Sequence, residues 1–513
     1  MFSVTKIPKT SSIYFSSALK LRHKSKTHWA KLKRKTGPKY TALNHFDDFY
    51  GSVFGNQWES IREGLLRRPK YVAVINNYGD FEETMELLSN KGAHCLNKLM
   101  SIQQDFSNTY HKINKDLTKD VKQESNVVSN YVSKMEQNEI SNIYPTNQAL
   151  PEKLELKDTT LKRFHENEVE IERTSAQTLD DAIAEADIDQ TRIIEPGMGT
   201  TSEALYQYIP ATKLKGMDDY VSESLHYSFY STNTSDFPLV IEPETEYSYP
   251  EHLKLMTYER DSELHMFPEP KRSQTGVFNY YPLDGGSVLA VLALCLQPGD
   301  RVLDMCAAPG GKSLIALQTL LPDVLVCNDV SISRSNRIKN IFRNYLIDFE
   351  TSNKWQERVV LNRKDGRNIV DDYGFDKVLV DVPCTTDRHA VMENENNIFR
   401  ADRVRERLRI PELQSQLLAN ALRVTRVGGA VVYSTCSLSP VQNDGVVHMA
   451  LKQVFTADGI LASVRDMSSA FQCLSSTMVL GKGKALPKYG QLVLPSVSAN
   501  FGPSYIARLV RTK

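Results

Sequence analysis

No acidic side chain occurs before Asp47 in this 513-residue sequence, although its formal net charge is zero. The seven cysteines, at 95, 295, 306, 327, 384, 436 and 473, form no C-x-x-C pair and no even framework. That spacing excludes a disulfide scaffold and a thiolate zinc site, so a reducing compartment and no metal are expected. The longest apolar run, Val288–Leu296, is roughly half of the ~20 residues a membrane span needs, and residence in a membrane is not expected. Self-similarity with a period of some tens of residues is missing too, which excludes solenoids and propellers. The most conspicuous small-residue turn matches neither G-x-G-x-x-G nor G-x-x-x-x-G-K-[ST], so dinucleotide and nucleoside-triphosphate readings lose their support.

Composition then divides the chain. Residues 1–40 are basic, rich in hydroxyls and free of acids, the composition of a mitochondrial presequence, or alternatively of a basic tail for nucleic acid. Over 41–114 the residues Phe46, Phe49, Tyr50, Phe54, Trp58, Ile61 and Leu65 recur at mostly helical spacing and predict a small helical N-terminal module. Residues 115–250 are polar and acidic, which predicts a flexible insertion, because such a composition buries too little to offset ordering entropy. From 251 to 513 apolar segments of strand and helix length alternate as far as Leu438, the pattern of a doubly wound α/β domain with a parallel sheet.

Within that domain the small-residue turn decides the class of ligand. Arg301–Asp304 reads as a buried strand, Ala307 to Gly311 as a turn, and Lys312 onward as a helix. Small residues let backbone N–H groups approach a ligand, and a helix N-terminus adds unpaired donors. A second strand ends at Asp329, about 20 residues beyond the glycines, where such folds place a carboxylate on ribose hydroxyls. Two further strand ends carry Asp365-Gly366 and Asp381-Val-Pro-Cys384. Packing alone would favour apolar residues there, so acids gathered around one crevice predict a nucleoside-bearing cofactor.

The next strand ends Tyr433-Ser-Thr-Cys-Ser437. A lone strand-end cysteine is most often an inert core thiol. Two at neighbouring strand ends, Cys384 and Cys436, point instead to covalent chemistry. Six arginines between 388 and 409 (Arg388, Arg400, Arg403, Arg405, Arg407 and Arg409) follow Cys384 and predict phosphate contacts, the alternative being a solvated helix face paired with Asp402 and Glu406.

Three of these motifs, Asp304-Met-Cys-Ala-Ala-Pro-Gly-Gly-Lys312, Asp381-Val-Pro-Cys-Thr-Thr-Asp387 and Tyr433-Ser-Thr-Cys-Ser437, resemble the Nop/Sun family of RNA cytosine-5 methyltransferases, and Asp381 to His389, Glu395-Asn-Asn-Ile-Phe399, Asn500-Phe-Gly-Pro-Ser-Tyr505 and residues 46–80 resemble its mitochondrial ribosomal-RNA branch. The resemblance covers roughly 265–513. It implies a Rossmann-like class I fold and S-adenosyl-L-methionine as cofactor. Gly310, Gly311 and Lys312 would hold the methionine and sugar portion, Asp329 the ribose with Arg334 nearby, and Asp365 and Gly366 would border the adenine. Asp381 would face both cofactor and target base, with Cys436 as nucleophile and Cys384 as the helper in product release. The resemblance further implies action on ribosomal RNA in the mitochondrial matrix and a heterodimer with a helical-repeat protein of the mitochondrial transcription-terminator family. The long polar insertion departs from the family pattern.

The chemistry is consistent with that reading. Cytosine C5 becomes nucleophilic only after a thiolate adds at C6, and a base within a helix would have to be extruded first. A DNA cytosine methyltransferase using the Pro-Cys thiol, and an RNA-binding scaffold that does not need Cys436, are the two alternatives.

Overall fold

The computed structural model describes residues 37–102, 237–245, 249–262, 266–481 and 487–513. Residues 1–36 of the expected presequence or basic tail, and most of the expected insertion, lie outside them.

The N-terminal helices α1 (Pro38–Phe54) and α2 (Trp58–Leu66) bury the stripe that the sequence spacing marks: Ala42, Phe46, Tyr50 and Phe54 on α1, Trp58, Ile61 and Leu65 on α2. Their partners are not one another alone. The stripe joins one apolar cluster with Val391, Ile398, Phe399 and Leu417 of the α/β domain, and Phe46 meets Phe399 edge-on at 5.3 Å between ring centres. Truncating such a side chain, as in Phe46→Ala, typically costs about 3–5 kcal/mol.

Beyond α2 the module is partly strand rather than helix. β1 (Val72–Ile75), α3 (Phe81–Ser89) and β2 (His94–Cys95) precede the insertion. β3 (Val240–Pro243), β4 (Leu255–Thr257) and β5 (Tyr280–Leu283) come after it. β2, β4, β1 and β5 form an antiparallel sheet in that order. Hence the expected helical module contains strands, and its sheet is completed by residues far along the chain. Only contacts across the insertion create this sheet, and local periodicity does not report such contacts.

The catalytic-domain elements fall where the alternation predicts. α4 (Gly285–Leu292) starts at Asp284, whose carboxylate accepts the Gly286 N–H at 2.8 Å, a regular N-cap. Then come β6 (Arg301–Asp304), α5 (Gly311–Gln318), β7 (Val324–Asn328), α6 (Ile332–Tyr345), α7 (Asn353–Arg358), β8 (Val359–Asn362), β9 (Phe375–Asp381), α8 (Asp387–Met392), α9 (Val404–Val424), β10 (Thr425–Thr435), α10 (Asp444–Asp458), β11 (Ala462–Asp466), β12 (Gln491–Val493) and β13 (Ser504–Arg511). α9 begins several residues before Pro411, which sits inside it.

The large sheet has the order β3-β11-β13-β10-β9-β6-β7-β8, with β12 paired to β13. β6 to β10 are mutually parallel, whereas β13 runs antiparallel between β10 and β11. β13 is therefore an interior strand of the sheet, and not an edge. β3, inside the range expected to be insertion, pairs with β11 and forms that edge. The chain winds from β6 toward β8, then returns to β9 on the other side of β6. This reversal makes the switch-point crevice at which α/β sheets bind ligands.

Candidate active site

The crevice opens at the carboxyl ends of β6 and β9. Asp304 ends β6, is buried, and accepts a 2.6 Å hydrogen bond from Ser313 through Oδ2. Its Oδ1 has no hydrogen-bond partner among the described residues. Burial is the chief cause that pushes this carboxyl up to about 7, and the neighbouring Asp381 adds to it. A buried acceptor left unpaired costs on the order of 1–3 kcal/mol, so the site suits a ligand that brings a donor or positive charge.

The turn beyond Asp304 can be made only by its glycines. Gly310 has φ +112°, and a Cβ there would lie 3.2 Å from the Ile338 backbone. At Gly311 a Cβ would stand 3.0 Å from the Tyr281 ring, so β5 of the small sheet closes over this turn. Asp329, 3% exposed, accepts the Ser331 N–H at 3.0 Å and faces Arg334 at 3.4 Å. Arg334 also reaches the Ala308 carbonyl at 3.3 Å, linking acid and turn as the sequence suggests. Asp365 is held below the usual carboxylate range chiefly by its hydrogen bond from Arg367. A Cβ on Gly366 would stand 2.7 Å from Leu417 and 3.0 Å from Met305; this glycine lets the segment after β8 pack against helix α9 and the end of β6. Asn328 is a site residue that the motifs do not mark. Its amide donates to the Met305 and Lys364 carbonyls at 3.0 and 2.9 Å, and a polar residue before a strand-end acid is the available signal.

Lys312 stands apart from the glycines in what it touches. Its Nζ lies 2.6 Å from Asp381 Oδ2, and Ser434 donates to Asp381 Oδ1 at 2.8 Å. Burial works against the lysine charge, but the Asp381 carboxylate outweighs it and holds the ammonium above its ordinary range. Cofactor turn and cysteine strands are thus joined by one ion pair.

The two thiols are neighbours. The Cys436 backbone N–H donates to Cys384 Sγ at 3.3 Å. A hydrogen bond from the Cys436 thiol is the first cause that lowers Cys384, and the same bond, with burial, raises Cys436 well above an ordinary thiol. Cys306, in the turn, is pushed up by burial and is inert by comparison.

Four of the six arginines of the stripe are engaged within the protein. Arg388 is spent inside the protein, donating to the carbonyls of Gly502, Gly64 and Arg67 and to Asn500 Oδ1. Arg400 pairs with Asp402 and Arg403 with Glu406. Arg407 lies over the Phe399 ring at 4.6 Å. For these four residues the acid-paired or structural alternative holds, because acids interleave with the arginines along the helix.

Comparison with known proteins fixes the family. A family model described as 16S rRNA methyltransferase RsmB/F matches residues 291–477. Over 507 residues the chain is 35% identical to the 5-cytosine rRNA methyltransferase nsun-4 of Caenorhabditis elegans, covering 98% of each chain. The chain belongs to the Nop/Sun family of RNA cytosine-5 methyltransferases. Its similarity to the Xenopus laevis 5-cytosine rRNA methyltransferase NSUN4 is 30% over 494 residues, 96% of this chain and 95% of that one. Mouse mitochondrial tRNA (cytosine(34)-C(5))-methyltransferase is 35% identical over 242 residues, 47% of this chain and 66% of that one. The Nop/Sun likeness to the nematode and frog proteins thus extends beyond the family model, to the N-terminal helices and the closing strands. The sheet order and the crevice are those of the Rossmann-like class I fold.

Proposed function

We propose that this Nop/Sun enzyme methylates C5 of a cytosine in the ribosomal RNA of the mitochondrial small subunit, through a covalent bond between Cys436 and C6 of the base. The observation that carries the covalent step is the thiol pair, with the Cys436 N–H 3.3 Å from Cys384 Sγ beside the Lys312–Asp381 ion pair. S-Adenosyl-L-methionine, when bound, supplies an electrophilic methyl group.

The residues around the turn fit that cofactor. The unpaired Asp304 Oδ1 leaves an acceptor for its methionine end, and Gly310 and Gly311, at which a Cβ would press on Ile338 and Tyr281, let the turn keep its close-packed course. Gly310, Gly311 and Lys312 hold the methionine and sugar portion, Asp329 with Arg334 the ribose, and Asp365 with Gly366 border the adenine. Asp381, anchored by Lys312 and Ser434, holds the polar edge of the target base.

Cys436, its thiol proton lost to solvent, forms the S–C6 bond as a thiolate, and the extra electron density at C5 makes that carbon nucleophilic. After methylation the Cys384 sulfur takes the C5 proton, the C5–C6 double bond re-forms as the C6–S bond breaks, and Cys436 leaves as a thiolate. The target base is extruded or lies in a single strand, since C6 is not accessible within a stacked helix.

Location and partner rest on other observations. The acid-free, hydroxyl-rich first 46 residues support import into the mitochondrial matrix with loss of part of that segment, and the mouse relative is itself a mitochondrial enzyme by name. A stable heterodimer with a helical-repeat protein of the mitochondrial transcription-terminator family, through the catalytic domain or residues 46–100, would supply RNA affinity that the paired arginines do not.

Bisulfite mapping of cellular RNA with and without the protein tests the substrate. A single cytosine in mitochondrial small-subunit RNA should lose its methyl group; loss in transfer RNA alone, or in DNA, would overturn the assignment. Nuclear fluorescence of a C-terminally tagged chain with an intact N-terminus would overturn the location. Co-purification from mitochondria tests the partner, and elution as a monomer would count against it.

A further inference from the structure

Asp387 opens α8 three residues beyond Cys384, and its side chain is fully buried. Its Oδ2 accepts from Tyr50 Oη at 2.7 Å and from the Leu438 N–H at 2.7 Å. Its Oδ1 accepts from Thr385 Oγ1 at 2.5 Å, and Ser437 Oγ reaches both oxygens at 3.2 Å. The Asp387 backbone N–H donates to the Cys436 carbonyl at 3.2 Å. One carboxylate thus gathers the Cys384 loop, the Cys436 loop and helix α1.

Stability alone does not call for a charge here. Burial raises the Asp387 carboxyl against the donors that favour its ionisation, and its ligands are hydroxyls and an amide rather than a cation. Well-packed apolar residues often replace such buried polar arrangements at no loss. The backbone beside it is strained as well: Thr386 has φ 49° and ψ 63°, a left-handed conformation that a β-branched residue adopts only when its surroundings impose it. Thr386 lies between Cys384 and Asp387. The bonds of Asp387 therefore hold the loop that carries the Cys384 sulfur against Cys436.

We infer that Asp387 is a positioning residue of the methyl-transfer site, fixing Cys384 in register against Cys436, and that Tyr50 makes the N-terminal helix part of this device. The inference rests on the cysteine roles proposed above. Asp387 acts through Cys384 and not on substrate. Cys436 directly follows Thr435, which is paired with Tyr505 of β13, whereas the pairing of β9 ends at Leu379 toward β6 and at Asp381 toward β10, which leaves the Cys384 loop beyond both. Loosening Asp387 therefore displaces Cys384 first, and the defect takes the form expected of losing Cys384: attack and methylation continue while release slows.

The test uses the full chain, a transcript of mitochondrial small-subunit ribosomal RNA and S-adenosyl-L-methionine carrying a labelled methyl group. Asp387→Asn and Tyr50→Phe are compared with Cys384→Ala and Cys436→Ala. Tyr50→Phe removes a single hydroxyl and retains the fold even if the aspartate variant does not. Both variants should bind the cofactor as wild type does and should accumulate a protein–RNA species that survives denaturing gels. Turnover should fall, on the order of 100-fold for Asp387→Asn given what small misplacements cost, and less for Tyr50→Phe. Adding Cys384→Ala to Asp387→Asn should trap no more adduct than Cys384→Ala alone. A lower melting temperature with a smaller active fraction, but a wild-type ratio of adduct to product, would mean a merely structural role and overturn the inference. Methylation by Cys436→Ala would instead overturn the cysteine assignment itself, so the two failures are distinguishable.

Discussion

Ser434 on β10 stands directly opposite Asp381 on β9 in parallel register, and its hydroxyl donates to that carboxylate at 2.8 Å. This pairing puts the acid proposed to hold the base one strand from the proposed nucleophile, with Cys436 two residues beyond Ser434. A one-residue slip would turn each of these side chains to the opposite face of the sheet. Register is therefore as much a part of the chemistry as the thiols are.

The cysteines should differ in kind. Cys436→Ala should abolish methylation and leave no adduct, since loss of a nucleophile can cost on the order of a million-fold. Cys384→Ala should leave an adduct that survives denaturing electrophoresis. Adduct in Cys436→Ala and none in Cys384→Ala would transfer the nucleophile to the Pro-Cys strand.

At the cofactor turn, Gly310→Ala meets two obstacles, a positive φ of +112° and the Ile338 backbone at 3.2 Å. The expected cost is about 1–3 kcal/mol of strain, with cofactor affinity falling at least about tenfold. Titration calorimetry with S-adenosyl-L-methionine measures the affinity, and wild-type binding would contradict this account of the turn.

Asp304 should make stability depend on pH. Its carboxyl is raised from 3.8 to about 7 by burial, so the folded state holds a proton that the unfolded chain releases. The contribution is present in full below about pH 4 and is lost as pH rises through 7, a swing on the order of 4 kcal/mol. Asp304→Asn keeps a neutral side chain throughout. Its melting temperature relative to wild type should rise between pH 5 and 8, and a constant difference would remove Asp304 as the cause.

Arg388 separates a clamp from a phosphate contact. With its guanidinium spent on Gly64, Arg67, Asn500 and Gly502, Arg388→Ala should lower the melting temperature, losing roughly 1.5–3 kcal/mol as for a charged hydrogen bond. The slope of RNA affinity against salt should not change. A slope shallower by about one charge would make it a phosphate ligand after all.

The catalytic half is legible in the sequence because its information is local. Strand-end acids, the glycine turn and the two cysteines each declare themselves within a few residues, and Asp284 caps its helix as its neighbours suggest. Asp387 is visible there only as the last letter of a motif, since its role depends on Tyr50, 337 residues away. Comparable distances hide the strands of the N-terminal segment, which pair with residues beyond the insertion. The arginines suggest a free face because sequence shows charge but not what each charge is paired with.

The small sheet has a consequence for how the chain can be divided. β1 lies between β4 and β5, so among the described residues the only strand joining those two comes from before the insertion, while helix α1 is fastened to the thiol loops through Tyr50. A single nick between Ile102 and Phe237 would therefore cut the chain without parting the fold. The halves would act as two polypeptides that complement each other, each useless alone, and co-expressing them as separate genes should restore one enzyme.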